Sequence, residues 1–90
     1  MYIITRTRAF EKSFKRLTKS GFLKKNRLIV ESIIDTIVSG KILNKKHKDH
    51  PLNGKFTDYR ECHILNDLLL VYKIEKKELI LVLIDIGSHS

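Results

Sequence analysis

Four histidines (His47, His50, His63 and His89), one cysteine (Cys62) and a carboxylate, Asp67, are the residues of this chain whose types and spacing could do chemistry. Imidazole titrates near neutral pH, so two or three histidines around one pocket can supply both a base and an acid. A carboxylate beside one of them would fix its tautomer. Such a set suits transfer of an RNA 2′-hydroxyl onto the adjacent phosphate. One group removes the 2′ proton, another protonates the leaving 5′ oxygen, and nearby cations stabilise the charged phosphorane. Lys48, Lys55 and Arg60, interspersed among the histidines, are the candidate substrate-binding cations.

Other chemistries find less support. His47-x-x-His50 has the spacing of a metal-ligand pair, yet no cysteine or carboxylate set completes a tetrahedral site, so no metal is expected. Cys62 is adjacent to His63 and, on a strand, points to the opposite face, which separates a thiol from its would-be base. Gly-rich phosphate loops, nucleophile elbows and paired-carboxylate motifs are missing, and no cofactor is implied. His47, set among lysines, is expected to be solvated.

The elements that must position these residues follow from periodicity. Residues 2–7 (YIITRT) are β-branched and aromatic and predict a first strand. Phe10, Phe14 and Leu17 then recur at helical spacing among Glu11, Lys12, Lys15, Arg16 and Lys19, an amphipathic helix ending at Gly21. A longer helix follows Phe22 and Leu23, with Val30, Ile33, Ile34 and Ile37 on one stripe and Gly40 at its close. The short link predicts an antiparallel helical hairpin. Residues 41–58 have no period and read as a long loop, a length usually associated with function or disorder. Three strands are then predicted at 59–64, 68–74 and 78–86, joined as a meander by Asn66-Asp67 and by the EKKE turn. The fold class is α+β, in strand–helix–helix–three-strand order, with the helical hairpin packed on one face of an antiparallel sheet.

This arrangement gives the histidines company. In a meander the last strand runs parallel to the first of the three, so their C-terminal ends share one edge. His63, Asp67 and His89 therefore converge there from distant parts of the sequence. His50 lies in the loop that leads into the same strand, and its place over the sheet does not follow from sequence. With a three-residue turn (Ile64-Leu65-Asn66), His63 pairs with Asp67 on one face. With a two-residue turn (Leu65-Asn66), Asp67 falls on the opposite face.

Composition sets outer limits. Ninety residues make one domain, 1–90, with one modest core. The longest apolar run, Leu79–Ile84, is far shorter than the ~20 residues of a membrane span, and MYIITRTRAF lacks a signal core and cleavage site. With a single cysteine besides, the expectation is a cytoplasmic protein without a membrane partner. The net charge is +8 and uneven, with thirteen basic and three acidic side chains over residues 1–48 against five and seven over 49–90. A folded basic half suits a polyanion or an acidic protein partner, or simply a solvated helix surface.

The segments KDHPLNGKFTDYRECHI, NDLLLVYKI and IGSHS together resemble the RelE/ParE toxin superfamily, and within it the YafQ-like branch. The carrying pattern is His50-Pro51-Leu52-x-Gly54, then Tyr59-Arg60-x-x-His63, then Asp67 and Tyr72-Lys73, and the element order extends the resemblance over the whole chain. It implies a metal-independent endoribonuclease that cuts messenger RNA on the ribosome and stops translation. It also implies a cognate antitoxin, acidic and wrapped around the toxin, with operator DNA bound only through their complex. Family roles carry over onto His50, His63, Asp67 and His89 as acid–base and phosphate-contacting groups, with base and acid left unassigned among them, and the resemblance favours the three-residue turn. Position 68, aromatic in the best-known members, is Leu68 here. Two other readings compete: a ParE-like protein that poisons gyrase without catalysis, which has no need of convergent imidazoles, and a plain nucleic-acid-binding module.

Overall fold

The computed structural model describes residues 1–56 and 58–88. The elements run β1 (Ile3–Arg6), α1 (Arg8–Lys19), α2 (Phe22–Val38), β2 (His50–Pro51), β3 (Arg60–Leu65), β4 (Leu68–Glu75) and β5 (Ile80–Ser88), with single 3-10 turns at Lys45–His47 and Gly54–Phe56. The two helices and the predicted meander are present.

Helix α1 starts where Thr7, in extended conformation, accepts a 3.0 Å hydrogen bond from the Phe10 amide, the capping role that threonine fills well. The turn between the helices passes through Gly21 at φ 81, a left-handed conformation that glycine adopts without a Cβ clash. Phe10 from α1 and Leu23, Val30, Ile33 and Ile37 from α2 are buried, while Phe14, Leu17 and Ile34 pack at the core margin. Against them the sheet presents Cys62, Ile64, Leu68, Leu70, Tyr72, Leu81, Leu83 and Ile86, all buried. These alternate with half-buried or exposed neighbours, so one sheet face meets the helices and the other remains open.

Two features depart from the expected sheet. It has five strands, ordered β1-β5-β4-β3-β2, and it is mixed: β1 lies parallel to β5, whereas the other neighbours are antiparallel. The helical hairpin returns the chain from β1 to the far edge, so the meander closes back onto β1 with both strands pointing the same way. The loop after α2 supplies the fifth strand, since His50 pairs with Glu61 and Pro51 with Arg60. Proline is tolerated on this edge strand, where its missing N–H breaks no central ladder.

Each of the two hairpin ladders is interrupted. In β3 an extra residue, Ile64, lies between His63 (opposite Leu69) and Leu65 (opposite Leu68). In β5 the extra residue is Ile84, between Leu83 (opposite Tyr72) and Asp85 (opposite Val71). A bulge disturbs the ladder locally, and the Ile84 carbonyl accepts a 2.6 Å hydrogen bond from the Thr7 hydroxyl.

Candidate functional site

The turn between β3 and β4 fixes the first site relationship. Leu65 is opposite Leu68, so the two-residue turn is Asn66-Asp67, and His63 faces Leu69 rather than Asp67. This corrects both turn placements weighed from sequence. The physical reason is the bulge. Neither Asn66 nor Asp67 has the positive φ that primed hairpin turns use, and bulged Ile64 absorbs the residue and adds the strand twist. Asp67 and His63 nevertheless line one groove, of about 1020 Å³, between α2 and the β3–β4 end, with His47 and Ser88 also on its wall. Ser88 is opposite Leu68, so the end of β5 does reach this edge of the sheet. His89, expected to join them, lies outside the described residues.

His50 stands one strand away. It sits on β2 opposite Glu61, and His63 follows Glu61 by two residues on β3. Cross-strand partners and i, i+2 neighbours share a face, so His50, Glu61 and His63 project from the open side of the sheet. His50 Nδ1 contacts the Lys48 carbonyl at 2.5 Å and Nε2 lies 3.4 Å from Glu61 Oε1, with 46% of the side chain exposed. A carbonyl oxygen only accepts, so Nδ1 carries the proton. His50 is thus a solvent-accessible imidazole whose Nδ1–H is held by a carbonyl and whose Nε2 lies beside a carboxylate.

Asp49, the residue before His50, turns the other way. Its Oδ1 accepts a 2.6 Å hydrogen bond from the Tyr72 hydroxyl, and both its oxygens lie 3.4 Å from nitrogens of the Arg60 guanidinium. Arg60 and Tyr72 are themselves opposite each other in the β3–β4 ladder. Burial lowers the guanidinium pKa and the hydrogen bonds to Asp49 and Tyr72 raise it, with the rise prevailing. Burial, followed by the Asp49 hydrogen bond, pushes the Tyr72 hydroxyl well above the usual phenol range. The trio anchors β2 to the helix side of the sheet.

The remaining candidates are placed as follows. Lys48 is exposed and left-handed at φ 47, which turns the chain from the 3-10 helix into β2. Lys55 is exposed on the one-turn helix Gly54–Phe56. Cys62 is fully buried on the helix side, and burial, then the charges of Asp49 and Glu61, push its thiol up to about 12, which leaves it un-ionised at neutral pH. Leu68 is buried core, not a platform on the open face. Among the described residues, no three His, Cys, Asp or Glu side chains are grouped as metal ligands.

Sequence reading missed Asp49, Glu61 and Tyr72, and it mistook His47. His47 Nδ1 lies 2.7 Å from the His63 main-chain oxygen, so His47 is tied to β3 and not merely solvated. The one available signal was adjacency, because Asp49 and Glu61 neighbour His50 and His63 in sequence. A two-residue strand containing proline gave no pattern from which its register could be read.

Comparison with known proteins bears on the same fold and residues. A family profile described as the bacterial toxin of a type II toxin–antitoxin system, YafQ, matches residues 2–90. The mRNA interferase toxin YafQ of Escherichia coli (strain K12) is 46% identical over 31 residues, and the match spans only 34% of either protein. A metal-bound toxin from Helicobacter pylori is similar over 99% of this chain and 96% of its own, with 42% identity and a TM-score of 0.86. The toxin in an E. coli DinJ–YafQ toxin–antitoxin complex is similar over 98% and 92%, with 25% identity and a TM-score of 0.83. Matched along nearly its whole length and sharing both element order and sheet, the chain belongs to the YafQ family of bacterial type II toxin–antitoxin toxins.

Proposed function

We propose that this toxin is a ribosome-dependent, metal-independent endoribonuclease that cleaves messenger RNA by general acid–base catalysis and thereby inhibits translation. The carrying observation is the pairing of β2 with β3, which holds His50, Glu61 and His63 on the same open face, with Glu61 Oε1 3.4 Å from His50 Nε2. The name mRNA interferase, borne by the E. coli relative, supports the same reaction class.

In this reading one imidazole takes the 2′ proton as the O2′–P bond forms. A second gives a proton to the 5′ oxygen as the P–O5′ bond breaks. The products are a 2′,3′-cyclic phosphate and a 5′-hydroxyl, and the proton balance closes without a metal. Asp67 and His89 complete the acid–base and phosphate-contacting set. Lys48, Lys55 and Arg60 draw in the RNA backbone, an attraction that weakens with salt.

The partner is a cognate antitoxin carrying acidic segments that complement the basic half of the chain, as DinJ partners YafQ in the E. coli complex. Operator DNA is bound only through that complex. The site of action is the cytoplasm, where ribosomes and message meet; among the described residues no helix is long and apolar enough to cross a membrane.

A defined message on purified ribosomes tests the reaction. The expected products carry 2′,3′-cyclic phosphate ends, and a 2′-deoxynucleotide at the cut position abolishes cleavage. Binding to RNA and ribosomes with no cleavage would instead identify a non-catalytic nucleic-acid-binding protein.

A further inference from the structure

The acid–base histidines are carried by segments that need holding. His63 lies at the point where the β3–β4 ladder shifts register, one residue before bulged Ile64. A bulge is where a strand bends, so the direction of the side chain beside it is set by whatever contacts the local backbone. Three residues ahead of His50, in the single 3-10 turn Lys45–His47, the His47 ring meets that backbone with Nδ1 2.7 Å from the His63 carbonyl oxygen. The carbonyl can only accept, so His47 must donate from Nδ1–H, and it can do so as the neutral Nδ1–H tautomer or as imidazolium. The contact joins residues 16 apart in sequence and ends on the same wall as His63 and Asp67.

We propose that His47 is a positioning residue for His63: its Nδ1–H donates to the His63 main-chain carbonyl and fixes the bulged end of β3 so that the His63 imidazole keeps its direction. The same short segment then serves both histidines. His47 fixes β3 from one end, left-handed Lys48 turns the chain, and His50 pairs with Glu61 two residues before His63. The proposal rests on the reading of His63 as an acid–base group, and outer contacts of this kind act by removing angular freedom from the group they hold.

The side-chain amide nitrogen of asparagine sits about where histidine carries Nδ1, whereas that of glutamine sits about where histidine carries Nε2. The variants His47→Ala, His47→Asn and His47→Gln therefore separate the donor from the ring. Two measurements are made on each: single-turnover message cleavage on saturating ribosomes, and the ring carbon–proton NMR signals of His63 in the free toxin. In His47→Ala we expect the cleavage rate to fall about 10- to 100-fold, with less than about threefold change in the half-saturating ribosome concentration, and the His63 ring signals to shift or broaden. His47→Asn is expected to recover most of the rate and the wild-type His63 signals, and His47→Gln neither. Unchanged His63 signals in His47→Ala would overturn the proposal, as would recovery by glutamine but not asparagine, which would assign the role to Nε2. Absence of cleavage by the wild-type toxin would overturn the ribonuclease reading alone. The NMR comparison would still decide whether His47 positions His63.

Discussion

The Tyr72 hydroxyl donates a 2.6 Å hydrogen bond to Asp49 Oδ1, linking a buried residue of the third strand in from the edge to the residue just before His50. Tyr72 is 2% exposed, so its hydroxyl has no ready substitute partner in water, and Asp49 also faces the Arg60 guanidinium. Apart from this anchor, β2 is a two-residue edge strand with two ladder partners, flanked by the His47 contact to the His63 carbonyl and the hydrogen bond from the Leu52 amide to the Tyr59 carbonyl.

Tyr72→Phe removes the donor and leaves the ring. A hydrogen bond to a charged acceptor contributes about 1.5–3 kcal/mol, so urea unfolding should show a loss in that range with the m-value unchanged. Asp49→Ala should cost more, because it leaves a buried hydroxyl and a guanidinium without their shared acceptor. Equal stability of Tyr72→Phe and wild type would show that β2 is held by other means.

Alkaline pH should weaken the fold through two buried groups. Burial raises the Cys62 thiol from an ordinary 9.0 to about 12 and lifts the Tyr72 hydroxyl from an ordinary 10.0. The folded state thus keeps protons that the unfolded chain releases. Both contributions are whole below pH 9 and are lost as pH rises through the folded values, with a limiting slope of about 1.4 kcal/mol per pH unit for each group. Unfolding free energies measured between pH 8 and 11 should decline, and Cys62→Ala should flatten the part between pH 9 and 10, where the unfolded thiol ionises first. The substitution's own packing cost shifts the whole curve and leaves the slope comparison intact. An unchanged slope in Cys62→Ala would contradict the assignment.

Thr7 couples the start of α1 to the β5 bulge through two hydrogen bonds, from the Phe10 amide and to the Ile84 carbonyl. Thr7→Ala loses both and should destabilise by about 1–2 kcal/mol in thermal or urea unfolding, whereas Thr7→Ser should retain most of the stability. The pair Arg27–Glu31, 59% and 52% exposed, makes a useful contrast. Its removal should cost no more than about 0.5 kcal/mol.

Much of the architecture was legible because it is written in local pattern. The stripe Val30, Ile33, Ile37 predicted the buried face of α2, and the apolar runs at 68–74 and 78–86 predicted strands β4 and β5. What stayed hidden depended on distance or on exceptions to period. The parallel pairing of β1 with β5 joins opposite ends of the chain. The bulge at Ile64 changes by one residue the count on which the His63–Asp67 register rested. The histidines suggested acid–base chemistry by type alone, but Asp49, His47 and Glu61 acquire their partners where the aperiodic segment 45–51 is laid along β3, and that segment has no apolar alternation to announce it.

The central claim is that His50 and His63 are the acid–base pair, and it is tested most directly by inducing His50→Ala and His63→Ala toxins in growing bacteria without the antitoxin. Each purified variant should retain the wild-type circular dichroism spectrum, and cleavage on ribosomes should drop by about 10²–10⁴-fold per imidazole removed, with growth arrest relieved in both. Growth arrest and cleavage at the wild-type level in both variants would contradict the account.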